Sequence, residues 1–186
     1  MEAEKEAVGQ TKYLTYHLAG EEYAIGILRV KEVIEYGTVT KVPKTPPSVR
    51  GVINLRGSVV PVVDLAIKFG LPESPVTKRT CIVIVEVDLD GERVVMGIVA
   101  DSVSEVMDLL PEDIVEPPPF GTGVRVDYLQ GMGKVGKKFV LILDVDRVMS
   151  SSELLAAASL QTQAAKGEKP SLPEDSTSSA EGGSTS

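Results

Sequence analysis

Few residues of this chain are able to make or break bonds. Its one cysteine, Cys81, lies in the apolar run Cys81-Ile82-Val83-Ile84-Val85, far in sequence from its one histidine, His17. A single thiol forms no intrachain disulfide and no multi-cysteine metal site, and within an apolar run it reads as a small core residue rather than a nucleophile. The stretch Gly131-Met132-Gly133-Lys134-Val135-Gly136 satisfies G-x-G-x-x-G. A pyrophosphate cradle needs a strand before those glycines and a helix amino terminus after them. Residues 137–143 instead read as a strand, so the glycines are expected to loosen a hairpin. Asp88-Leu89-Asp90-Gly91 has the opening of a calcium loop without its third carboxylate or closing glutamate, and reads as a turn. Glu112-Asp113 follows Pro111 as acids do at a helix start. No general acid and base pair can be assembled from these groups. The expectation is no catalysis, no cofactor and no metal.

The remaining chemistry is charge set among apolar strands. Residues 49–69 read VRGVINLRGSVVPVVDLAIKF, two β-branched runs divided by Arg56-Gly57-Ser58. That pattern predicts a hairpin with Gly57 in its turn. Pro61 donates no ladder hydrogen bond, which predicts an edge strand or a bulged one. Arg50 and Arg56 flank the first run, and Glu32 sits in an earlier apolar segment. Their charges must reach solvent or a partner.

The elements that carry these residues are short. Residues 11–18 and 22–26 form a hairpin about Ala19-Gly20-Glu21, and residues 27–34 fit either a helical turn or a strand. Residues 38–42 read as a short strand and 65–69 as one helical turn stopped by Gly70 and Pro72. Residues 80–87 and 92–99 pair around Asp90-Gly91, the strongest hairpin signal in the chain. Residues 111–120 are a proline-rich linker, and 128–148 carry a last strand pair.

The halves repeat. Asp64 follows Gly51, and Asp144 follows Gly131, by the same 13 positions, and residues 59–65 match 139–145 without a gap. Upstream, 24–28 match 95–99, and Glu32-Val33-Ile34 matches Glu105-Val106-Met107 after two extra residues. Each copy offers about five short strands, enough to close a small barrel. Ser150-x-x-Glu153 is a capping box that opens a helix over residues 150–165, with Leu154, Leu155 and Ala158 as its apolar stripe. Residues 166–186 are mainly Ser, Thr, Gly, Glu and Pro and are expected to be disordered.

Composition narrows the partners. The formal charge is −8 and the basic residues form no stripe, which argues against nucleic acid. There is no tryptophan and there are three phenylalanines, so the core is aliphatic. The amino terminus MEAEKEAVGQ lacks a secretory pattern, and no apolar run approaches the roughly 20 residues of a membrane span. A soluble cytoplasmic protein is expected.

Asn54-Leu55-Arg56-Gly57 followed by Val60-Pro61-Val62-Val63-Asp64-Leu65 closely resembles the signature of the CheW-type chemotaxis coupling proteins. The resemblance spans about residues 12–155, the serine-rich tail being outside it. It implies a mainly β fold of two SH3-like five-stranded barrels, closed by the C-terminal helix and followed by the disordered tail. The expected CheW-like unit runs over 11–155, with intertwined barrels at about 20–80 and at about 81–148 plus the N-terminal strand. It also implies a non-enzymatic adaptor that joins the cytoplasmic tips of methyl-accepting chemoreceptors to the histidine kinase CheA, without membrane insertion, in membrane-associated arrays. By this likeness Ile27, Val30, Glu32, Arg56 and Val59 face the receptor, and Val30, Arg50, Gly51, Asn54 and Gly57 face the kinase. Neither a receiver domain nor a kinase is expected. Three other readings stand beside it: an adaptor of a non-flagellar array such as one for surface motility, an RNA-binding barrel opposed by the acidic balance, and a nucleotide enzyme resting only on GMGKVG.

Overall fold

The computed structural model describes residues 11–117, 126–150, 154 and 157. Its strands are β1 (Thr11–Leu18), β2 (Glu21–Gly26), β3 (Val30–Glu35), β4 (Val49–Leu55), β5 (Ser58–Val63), β6 (Cys81–Leu89), β7 (Glu92–Ala100), β8 (Ser102–Leu109), β9 (Ile114–Val115), β10 (Leu129–Val135) and β11 (Lys138–Leu143). Two short helices, α1 (Leu65–Lys68) and α2 (Val145–Met149), follow β5 and β11. Single 3₁₀ turns cover Ile27–Arg29, Pro111–Asp113 and Val126–Tyr128.

Local sequence accounts for most of these. Three hairpins turn on residues with positive φ: Ala19-Gly20, Arg56-Gly57 and Asp90-Gly91. Positive φ at both central positions matches the right-handed twist of the flanking strands. Each helix is opened by an aspartate, Asp64 accepting from the Ala66 amide at 3.0 Å and Asp144 from the Arg147 amide at 3.2 Å.

The strands form two curled sheets, ordered β3-β6-β7-β5-β4 and β8-β1-β2-β11-β10-β9. The first has the expected five strands, and the second has six because of the two-residue β9. Sheet membership differs from the expected boundary near residue 80. The β6–β7 hairpin belongs with β3, β4 and β5, while β2 stays beside β1 in the other sheet. Each copy of the repeat has therefore lent its leading hairpin to the sheet of the other. The cause is visible at the corners. β7 and β8 are joined by Asp101 alone, too short for a hairpin turn, so the chain changes sheets there, and the 3₁₀ turn Ile27–Arg29 makes the same crossing from β2 to β3.

Two further expectations need correction. Residues 38–42 make only an isolated bridge, Thr40 to Val52, with bonds of 2.9 and 2.8 Å. Pro61 lies in β5, which is interior to its sheet, between β7 and β4. Because Val52 spends its own amide and carbonyl on Thr40, the Val52–Pro61 pair is a non-hydrogen-bonded one, and the missing donor of Pro61 points away from β4. The parallel ladder to β7 begins only at Val62, so nothing is lost. The irregularity in the β4–β5 ladder falls instead on β4, between Val49 and Gly51.

Three apolar cores result. Ile53, Val60, Val62, Ile82, Ile84 and Val99 fill the five-stranded sheet, and Tyr13, Ala24, Leu109, Val140 and Ile142 fill the six-stranded one. Between the sheets lies the largest cluster, where Val63, Val85, Met96 and Ile98 of one meet Tyr16, Tyr23, Ile25 and Leu143 of the other. Leu154 and Ala157 are helical and fully buried in this central core. The rest of the expected helix, including Leu155 and Ala158, and the tail lie outside the described residues. Ser150 closes α2, its hydroxyl donating to the Arg147 carbonyl at 3.0 Å, and Glu153, the other half of the expected capping box, lies outside the described residues.

Candidate docking surface

The tip of the β4–β5 hairpin is built on the same left-handed turn as the β1–β2 and β6–β7 hairpins. Leu55 pairs with Ser58 across a two-residue turn in which Arg56 has φ 51° and Gly57 φ 90°. Glycine or asparagine adopts that geometry at least cost, whereas an arginine there pays for the crowding of its Cβ. The Gly57 amide donates to Asn54 Oδ1 at 2.8 Å, which holds the turn closed. The Arg56 guanidinium crosses the barrel mouth to an ion pair with Glu32 on β3, while its side chain remains 69% exposed. β3 is an outer strand of its sheet, with one ladder side open and Val33 exposed. Glu32, Asn54, Arg56 and Gly57 thus share one accessible tip, with Val59 half-buried behind it on β5.

Arg50 and Gly51 are placed differently. The Arg50 side chain is only 11% exposed and grips Asp64 through Nε at 3.0 Å and a terminal nitrogen at 2.7 Å. Glu73 lies 3.3 Å away and the Tyr36 ring lies 5.7 Å beneath the guanidinium. Burial lowers the Arg50 pKa, but the hydrogen bond and charge of Asp64, with Tyr36 and Glu73, more than offset this and leave it raised. The charge that had to find a partner finds it inside the chain. Gly51 is buried with φ 147°, and a Cβ there would lie 2.2 Å from the Thr40 carbonyl oxygen. Both residues shape the base of the hairpin rather than line its surface.

Sequence reasoning missed Leu28. It stands at the crossing from β2 to β3, 93% exposed. No sequence pattern marked it, because its exposure comes from the 3₁₀ turn Ile27–Arg29 that carries the chain from one sheet to the other. Leu28 is held out by Arg29, whose guanidinium clasps both carboxylate oxygens of Asp146 at 2.9 and 2.5 Å. Asp146 also accepts the Asp88 amide at 2.9 Å. This clasp ties the β2–β3 corner to α2 and to the end of β6. A cleft lies on either side of Leu28, one polar with Glu86, Asp88 and Arg93, the other lined by Ile25, Ile27, Gln130, Leu143 and Val145. Ile27 and Val30 are half-buried beside it. Two apolar-and-charged features, the Leu28 corner and the Arg56 tip, are thereby joined along β3.

Reactive groups fall elsewhere. The Cys81 thiol donates to the Arg79 carbonyl at 3.1 Å, and burial, then Glu35, push its pKa up, against a smaller opposing bond from Val103, so it stays a protonated thiol. His17 Nδ1 lies 3.1 Å from Ser104 Oγ on β8. Gly131 and Gly133 are embedded in β10, followed by β11 rather than a helix, and a Cβ on them would crowd Ile114 and Leu109 respectively. Among the described residues no three His, Cys, Asp or Glu side chains gather as a metal site would require. Nor, among them, is any helix long and apolar enough to cross a membrane.

Comparison with known proteins places this arrangement. The family model for the CheW-like domain matches residues 12–153, from β1 to just beyond α2. The chain belongs to the CheW-like family. Among relatives, it is 38% identical to the chemotaxis protein CheW of Klebsiella aerogenes over 149 residues, covering 80% of this chain and 87% of that one. It is 31% identical to the chemotaxis protein CheW of Treponema pallidum over 151 residues, covering 81% and 89%. The solved structure of the scaffolding protein TtCheW from Thermoanaerobacter tengcongensis superposes with a TM-score of 0.69 at 33% identity, covering 78% of this chain and 92% of that one. The CheW-like fold of two β subdomains is thus shared, and the family's chemotaxis role goes with it.

Proposed function

We propose that this chain is a non-enzymatic adaptor that couples the cytoplasmic tips of methyl-accepting chemoreceptors to the histidine kinase CheA. It works in the cytoplasm, recruited to membrane-associated arrays. The observation that carries this reading is Arg56. It is held at a left-handed turn position where glycine costs less, and it is presented with Glu32 on an open strand edge. Ile27, Val30, Glu32, Arg56 and Val59 are the receptor contacts, with Leu28 added at their end. Val30, Asn54 and Gly57 are kinase contacts, while Arg50 and Gly51 act on that face by fixing the hairpin beneath it.

The mechanism is linkage. A scaffold that binds one state of a receptor or kinase more tightly shifts that state's population by the difference in affinity, with no chemistry of its own. A modest interface with a few apolar anchors is expected to be micromolar, about −8 kcal/mol. The test is co-sedimentation of the purified protein with CheA and receptor cytoplasmic fragments, with ATP-dependent phosphorylation followed in parallel. Receptor-dependent capture that changes kinase activity, and that Arg56→Ala weakens without loss of fold, supports the reading. Capture by neither partner overturns it.

A further inference from the structure

The repeat gives the Arg56 tip a counterpart on the other sheet. In the β10–β11 hairpin, Lys134 stands where β4 has Asn54, Gly136 where the first turn has Arg56, Lys137 in place of Gly57, and Phe139 in place of Val59. Lys134 and Phe139 are direct cross-strand partners and so share a face. Both are exposed, Phe139 by 48%, and Lys137 is exposed in the turn between them. Neighbouring Lys138 points to the opposite face and is held by Glu22 at 2.9 Å; the hydrogen bond and charge of Glu22 raise its pKa. Lys134 and Lys137 form no ion pair among the described residues. Two unneutralised cations around an open aromatic ring stand out on a chain of net charge −8.

We propose that the β10–β11 tip is a second docking site, which takes an acidic segment of a protein partner carrying an apolar side chain. Phe139 receives the apolar group, and Lys134 and Lys137 meet its carboxylates. The overall charge selects this occupant. An anionic membrane or a nucleic acid brings many charges within a Debye length, about 8 Å at physiological salt, and the acidic remainder of the molecule repels them. A short acidic segment meets the tip alone. The proposal rests on the adaptor reading, to which it adds a contact on the opposite sheet from Arg56.

The test titrates four proteins against CheA and, separately, against receptor cytoplasmic fragments: the wild type, Lys134→Glu/Lys137→Glu, Phe139→Ser, and Lys134→Arg/Lys137→Arg. Circular dichroism checks that each is folded, and binding is read at about 50 and about 300 mM salt. The glutamate and serine variants are expected to lose about tenfold in affinity for one of the two partners at low salt, the glutamate pair with a flattened salt dependence, while the arginine pair binds as wild type. Wild-type capture left unchanged in the glutamate and serine variants overturns the second site and leaves the adaptor reading intact. Wild-type binding to neither partner overturns both. Retention on phosphatidylglycerol vesicles that the glutamate pair abolishes, with protein binding unchanged, overturns the site as a protein contact and makes it a membrane one.

Discussion

Asp64 and Asp144 occupy one position of the repeat, and their surroundings have diverged. Each follows a two-strand hairpin and caps the helix after it. Asp64 is 1% exposed and locked to Arg50, whereas Asp144 is 27% exposed and faces Arg147 at 3.6 Å along its own helix. The residue corresponding to Arg50 in the second copy is Gln130, which is exposed. The same capping aspartate is half of a buried ion pair beneath the Arg56 hairpin and a more exposed cap beneath the cationic β10–β11 hairpin. The comparison teaches that equal sequence positions carry unequal energies once burial differs, because an unpaired charge costs far more in the interior than at the surface.

The largest expected effect asks whether the copies are separable at all. Val62 is fully buried inside the five-stranded sheet, and Val62→Asp places an unpaired charge there. Because the leading hairpins are exchanged and share the central core, the whole unit is expected to lose its fold in one transition, rather than the first barrel alone. Tryptic digestion and near-ultraviolet dichroism measure this, and a protected half-sized fragment would show that the exchange does not couple the sheets. Next comes the paired glycine test. Gly51→Ala is expected to cost about 3 kcal/mol, since its Cβ meets a backbone carbonyl at positive φ. Gly131→Ala is expected to cost less, about 2 kcal/mol, because the nearest atom, at 2.7 Å, is a side-chain methyl of Ile114 and the nearest backbone oxygen, of Val115, is 3.1 Å away. Equal urea midpoints for the two would erase the distinction between copies.

Arg50→Ala leaves the Asp64 carboxylate buried without its partner and is expected to cost about 3 kcal/mol. Arg147→Ala, at an exposed pair, is expected to cost less than about 1 kcal/mol by the same denaturation. The exchanged hairpins differ in their response to base. β1–β2 carries Tyr13, Tyr16 and Tyr23, while β6–β7 carries no tyrosine. Burial, then the charge of Glu21, pushes the Tyr23 hydroxyl up to about 12, and burial, then Tyr23, raises Tyr16 further. A folded pKa above the unfolded value of about 10 means full stability below pH 10 and loss as pH climbs through the folded value. Melting temperature is therefore expected to fall between about pH 10 and 12, and Tyr23→Phe to reduce that fall. The smallest effect belongs to Arg56→Gly. Relief of the left-handed residue offsets the loss of an exposed ion pair, so stability is expected to move by less than about 1 kcal/mol, while receptor capture weakens.

Much of this was legible in the residues. Ala19-Gly20, Arg56-Gly57 and Asp90-Gly91 announce their hairpins because few residue types tolerate positive φ. Glu32 and Arg56 were both identifiable as charges among apolar strands, although their meeting across the barrel mouth was not, since 24 positions separate them. Arg50 drew attention for the same reason, and its destination was hidden: a charge among apolar residues announces a partner without saying whether that partner is Asp64 or another molecule. Leu28 was passed over because its exposure depends on the chain changing sheets at that point.

Periodicity, turn chemistry and the repeat determined which segments are strands, where they turn, and that two small β units exist. They did not determine which hairpin joins which unit. β1–β2 and β6–β7 hold the same place in the repeat, each leading its copy, and nothing in that order says which sheet either hairpin joins. Only the tertiary structure, with a one-residue link at Asp101 and the 3₁₀ corner at Ile27–Arg29, made the exchanged pairing the one that closes both barrels and buries the core between them.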